Sequence, residues 1–160
     1  MDKVKEFSIV EILVTVALIA ILTALTFFAI NPEYGFAQTR NAQRLTDITK
    51  IMDAVTNYNS VQGNSFKTLI SVPEGNTEIP TCITNTDSSI YIEQMAYIGT
   101  GPGNVNLRAK LIPLYIASIP MDPKGGTESN TGYKICKTDS GRVQINASFA
   151  ENDKIITLKR

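Results

Sequence analysis

The chain has 160 residues, 43% of them apolar and 19% charged, and its 15 basic side chains balance its 15 acidic ones. That length suits one folded domain plus an N-terminal element, and the even charge lacks the basic stripe of a nucleic-acid-binding surface. There is no histidine, so the commonest general base, metal ligand and physiological pH switch are missing together, and Ser-His-Asp or Cys-His catalysis is excluded.

The chain opens with a short polar lead, Met1 to Glu6, that carries Lys3 and Lys5. An apolar run follows, and Ile12 to Ile30 is 19 residues without a charge. As a helix it spans about 28 Å, close to one hydrocarbon core. Twelve of the 19 are Leu, Ile, Val or Phe, which favours insertion by about 4 to 7 kcal/mol before the Thr contributions. A lone segment in lipid satisfies its backbone only as a helix. Lys3 and Lys5 place the N-terminus on the cytoplasmic side and the rest of the chain outside. Two other readings stand beside this one. A cleaved secretory signal fits Gly35-Phe36-Ala37 as a small-x-small site, but the apolar run is long for it and carries Glu11. A plain single-pass anchor leaves Glu11 without a purpose.

Glu11 is the informative residue. A carboxylate at a helix centre in lipid costs about 2.5–3.5 kcal/mol on insertion scales, and less near the end of the span. It either snorkels to the interface or meets a positive group on a neighbouring molecule. At about 4 Å and an effective dielectric near 20, such a pair attracts by about 4 kcal/mol.

The order Lys5-Glu6-Phe7-Ser8-Ile9-Val10-Glu11-Ile12-Leu13 resembles the processing site of type IV prepilins and pseudopilins. In that family a short basic leader is cut just before a Phe, which becomes the methylated N-terminus. A Glu follows as the fifth mature residue, ahead of a long apolar run. The resemblance implies processing between Glu6 and Phe7, and charge pairing of Glu11 with the Phe7 amine of an adjacent subunit. Glu6 stands where the family has Gly. If the leader is kept, the Phe7 amine is absent, and Lys3 or Lys5 of a neighbour is the alternative partner. Pilins often carry a helix-bending proline late in the apolar run, whereas here the first is Pro32.

Asn31-Pro32-Glu33-Tyr34-Gly35 predicts a kink or break. Phe27, Phe28, Tyr34 and Phe36 read as an interfacial aromatic belt. Beyond them Leu45, Ile48, Met52, Val55, Tyr58 and Val61 recur every three or four residues, which predicts an amphipathic helix over a sheet. Arg44, Asp47, Lys50 and Asp53 fall between them as its polar side, and Arg40 and Arg44 are expected to face water or a neighbour. Gln62-Gly63-Asn64 is a stop signal.

From Phe66 onward turn residues recur. Candidate strands are Ser89 to Ile98, Gly132 to Lys137, Val143 to Phe149 and Lys154 to Leu158, the last three as an antiparallel meander. Leu107 to Ile116 reads as a short helix. The expected fold class is α+β: a long N-terminal helix, hydrophobic then amphipathic, packed on a small antiparallel sheet of three to five strands. Val143, Ile145, Ala147 and Phe149 alternate, so one sheet face should be wet. This divides the chain into a leader (1–6), a transmembrane or filament-core helix (7–30), an amphipathic helix (31–63) and a globular head (64–160). Cys82 and Cys136 are the two cysteines. An even count outside the cytoplasm reads as one disulfide, the alternative being two buried thiols.

The stretch from Leu111 to Pro123 is also similar to pseudopilins and small bacterial pilins, some of which bind calcium there. The resemblance makes Asp122, Glu128 and Asp139 calcium candidates; otherwise Asp122 caps a solvated turn. The capped turn is the reading adopted, so no metal or other cofactor is expected. Gly99-Thr100-Gly101-Pro102-Gly103 reads as a flexible loop, and no P-loop, dinucleotide fingerprint or zinc spacing occurs. The expectation is therefore a non-enzymatic subunit of a type IV pilus-like filament. It would be an inner-membrane precursor that a prepilin peptidase and pilus machinery bring to the cell surface as a helical homo-oligomer. A pseudopilin or minor pilin of a type II-like secretion system is one alternative. A monomeric membrane-anchored binding protein is the other.

Overall fold

A computed structural model describes residues 7–29, 32–65, 69, 79–82, 95–138 and 140–160. The chain divides into two compact units, Met1–Phe36 and Ala37–Arg160.

In the first unit, helix α1 covers Ile9–Ala29. Three threonines sit in this apolar helix, and each turns its hydroxyl back onto the helix. Thr15 donates to the Ile12 carbonyl at 2.8 Å, Thr23 to Ile19 at 2.7 Å and Thr26 to Thr23 at 2.7 Å. The hydroxyls thus need no water.

Helix α2 covers Pro32–Ser60. The expected break at Asn31–Gly35 is corrected in part: Pro32 opens α2, and Glu33, Tyr34 and Gly35 are helical. Proline at the first helical position loses no hydrogen bond, because that N–H has no intrahelical partner anyway. Ile30 and Asn31 lie outside the described residues. At the other end Gly63 has φ +90°, and the Asn64 amide donates to the Tyr58 carbonyl at 3.1 Å. The stop signal therefore acts where it was expected.

The head is α+β. Four antiparallel strands run in the order β1 (Ala96–Tyr97), β2 (Tyr133–Lys137), β3 (Val143–Ala147) and β4 (Thr157–Lys159). Ile135 faces Ile145 across β2 and β3, and Ile145 faces Leu158 across β3 and β4. Of the expected first strand, residues 89–94 lie outside the described residues; the last strand begins three residues later than expected. The short helix α3 covers only Arg108–Leu111.

One layer of the core is α2, through Ile48, Ile51, Met52, Val55 and Tyr58. The other is the sheet face built by Tyr133, Ile135, Val143, Ile145 and Ala147. Tyr58 meets Tyr115 edge-on, ring centres 5.4 Å apart. Leu45 and Val61 are corrections to the expected core: both are exposed. The outer face of β3 is wet in part: Gln144 is half-buried, whereas Asn146 is buried and accepts from the Thr157 hydroxyl at 3.0 Å.

On that outer face Cys136 is bonded to Cys82, with Met95 beside them. Backbone hydrogen bonds hold the same place: Cys82 N–H donates to Lys137 O at 2.7 Å, and Lys137 N–H to Pro80 O at 2.8 Å.

The glycine segment after β1 is pinned rather than loose. Gly101 N–H donates to Ser129 O at 2.9 Å, and a Cβ on Gly99 would lie 2.1 Å from that same oxygen. Only glycine permits that approach.

Candidate functional site

Two places carry the residues singled out by sequence, one in each unit. The first is α1. Every described side chain from Ile9 to Thr26 is exposed. The window has mean hydropathy 2.5 and is long enough to cross a membrane. A helix apolar on all sides is stable only when something apolar surrounds it. Ile9, Ile12, Leu13, Val16, Ala17 and Ala20 line a shallow apolar groove along it. Its two alanines let another helix backbone come close.

Phe7 precedes the helix and is 72% exposed. Glu6 lies outside the described residues. Glu11 is in the first turn, and the Ser8 carbonyl accepts from the N–H groups of Glu11 at 3.0 Å and Ile12 at 3.2 Å. Ser8 and Glu11 have the spacing of a capping box. The positive helix end favours the carboxylate by about 0.3–1 kcal/mol. That offsets only part of what a carboxylate costs at a bilayer centre, about 2.5–3.5 kcal/mol.

The second place is a charge cluster in the head. Arg44, expected on the polar side of α2, is fully buried. Its Nε donates to Asp122 Oδ2 at 2.6 Å and its Nη2 to Asp122 Oδ1 at 3.1 Å, and neither side chain is exposed. Its Nη1 donates to Asn41 Oδ1 at 2.8 Å and to Glu151 Oε2 at 2.9 Å. Arg40 grips Glu151 with two bonds of 2.6 and 2.7 Å, and Lys124 Nζ donates to Glu151 Oε1 at 2.8 Å. The Asn41 amide closes the set against the Glu151 backbone, donating at 2.8 Å and accepting at 3.0 Å. One turn of α2 is thereby tied to the segment after Pro120 and to the turn after β3.

The electrostatics follow from that geometry. Burial alone would lower the Arg44 pKa, but hydrogen bonds to Asp122 and Glu151 outweigh it and the value is raised. Hydrogen bonds from Arg40, Lys124 and Arg44 hold the Glu151 carboxyl far below the usual carboxylate range. Nearby, the Tyr133 hydroxyl donates to Asp47 Oδ2 at 3.0 Å. Burial first, and then the Asp47 charge, push the phenol well above its ordinary value.

This arrangement speaks against the calcium candidates. Asp122 already has both oxygens occupied by Arg44, and Oδ1 also accepts the Lys124 N–H at 2.9 Å. Glu128 pairs with Arg108. Asp139 lies outside the described residues. Among the described residues no group of three or more acidic, cysteine or histidine side chains is placed to hold a metal ion.

Of the expected aromatic belt, Tyr34 and Phe36 are exposed, and the side chains of Phe27 and Phe28 lie outside the described residues. Comparison of the chain with models of protein families, with curated proteins and with solved structures finds no match.

Proposed function

We propose that this chain is a structural, non-enzymatic subunit of a type IV pilin-like filament. Its α1 helix anchors the precursor in a membrane and then packs among the α1 helices of other copies. The observation that carries the reading is α1 itself: apolar on every side, exposed throughout, and charged only at Glu11 in its first turn. A membrane covers such a helix, and so does a bundle of its own copies. The self-bonded threonines suit either surrounding.

The processed chain begins at Phe7, and its amine meets Glu11 of the next copy. Heads then repeat around the bundle through contacts that do not close on themselves. The intact mass and N-terminal residue of the protein from its native envelope test this. The reading expects a chain starting at a methylated Phe7. A chain starting at Met1 removes the amine from the pairing and overturns this form of assembly.

The capping-box spacing of Ser8 and Glu11 favours a second reading, a monomeric membrane-anchored protein in which Glu11 serves only its own helix. That reading expects no filaments from the wild-type chain.

A further inference from the structure

A groove of about 570 Å³ lies in the head beside the first turns of α2. Gln38, Ala42 and Leu45 form one wall, and Lys154, Ile155 and Ile156 form the other. Leu45 is 52% exposed and Ile155 75% exposed, so apolar surface stands open on both sides. The second wall is held in an unusual backbone. Asn152 and Asp153 have φ of 58° and 54°, successive left-handed residues that are not glycine. Asn and Asp enter this region more readily than other residues with a side chain, and the two together turn the chain sharply. Here they lead directly into Lys154 and Ile155.

The chain also carries a segment of matching chemistry. Pro32-Glu33-Tyr34-Gly35-Phe36 forms the first turn of α2 and is exposed throughout. Phe36 offers an aromatic ring, and Glu33, three residues before it on the same face of α2, offers an acid. Neither Glu33 nor Lys154 makes an ion pair among the described residues. Acid and aromatic on one surface thus answer base and aliphatic on the other.

We infer that the groove receives residues 32–36 of a second copy of this chain, with Phe36 against Leu45 and Ile155 and Glu33 near Lys154. This rests on the filament reading and names its lateral contact. Aromatic rings in such a slot bury large area at low entropy cost, and the charge pair selects this orientation over others.

The test uses full-length protein in cells that assemble it. Charge-reversed Glu33→Lys and Lys154→Glu are each expected to lower filament yield at least five-fold, and the double reversal to restore it to within two-fold of wild type. Both sites are exposed, so folding is checked by the retained disulfide and thermal midpoint. A second measurement co-expresses a Phe36→Cys chain with an Ile155→Cys chain and oxidises the filaments. The inference expects a cross-linked dimer that either variant alone does not form. Filaments that assemble with no cross-link, or single reversals with unchanged yield, overturn this contact and leave the filament reading standing. No filaments from the wild-type chain overturn both.

Discussion

The Arg44 guanidinium lies side-on to the Asp122 carboxylate, Nε 2.6 Å from Oδ2 and Nη2 3.1 Å from Oδ1, with both side chains closed off from water. The residues are 78 positions apart. Their bond therefore fastens α2 to the far half of the head. A buried pair adds little net stability over apolar residues of the same shape, but removing one partner strands the other charge. The pair works as a registration device, fixing which turn of α2 meets the segment after Pro120.

Single replacement of either partner should therefore be severe. Arg44→Met or Asp122→Leu is expected to cost about 3–5 kcal/mol, and the double variant much less than their sum. Urea unfolding of the four proteins measures this. Additive losses, or single losses below about 1 kcal/mol, contradict a desolvated pair.

The pH dependence has two arms with opposite signs. Tyr133 has a raised pKa in the folded head. Its contribution is fully present below about pH 10, the unfolded value, and is lost as pH rises above that. Glu151 has a lowered pKa. Its contribution is present above about pH 4.3 and is lost as pH falls below that. Thermal midpoints across pH should thus fall at both ends. Tyr133→Phe should flatten the alkaline arm and Glu151→Gln the acid arm. A Tyr133→Phe protein with an unchanged alkaline slope contradicts the assignment.

The disulfide staples residues 54 apart in sequence. Closing a loop of that length stabilises the folded state by about 4 kcal/mol in the chain-entropy model. Reduction, or the Cys82→Ala and Cys136→Ala pair, should lower the unfolding free energy of the head by about that amount. Cys82, Cys136 and Met95 form a cluster separate from the core between α2 and the sheet, so that core should persist. Loss of less than about 1 kcal/mol would show that the unfolded chain is already constrained there.

Much of this was legible in the residues, and the misses have a physical cause. The apolar run, the stop at Gly63 and the meander after Gly132 follow local rules of period and turn chemistry, and the disulfide follows from an even cysteine count beyond a membrane span. The α2 core was read from its apolar members alone. Carried back from Ile48 at the same spacing, the stripe continues through Arg44, Asn41 and Ala37, all buried. A helix period marks which face is inward, not whether that face is greasy. The partner that makes a buried Arg44 tolerable, Asp122, is distant in sequence and invisible to periodicity. For the same reason Asp122 suggested a cation site: an acid in a Gly-rich turn has the same signature whether it meets a metal ion or a guanidinium. Leu45 belongs to the apolar pattern yet lines an open groove, because patterning marks an apolar position and not whether the fold covers it.

The central claim is that Glu11 joins one copy to the next through α1. Filament yield from cells making wild-type chain or Glu11→Ala, at equal membrane levels of each, tests it most directly. The account predicts filaments from wild type and at least ten-fold fewer from Glu11→Ala, with the variant still inserted and its head still folded. Equal filament yields would contradict the Glu11 pairing, and no filaments from either chain would contradict assembly itself.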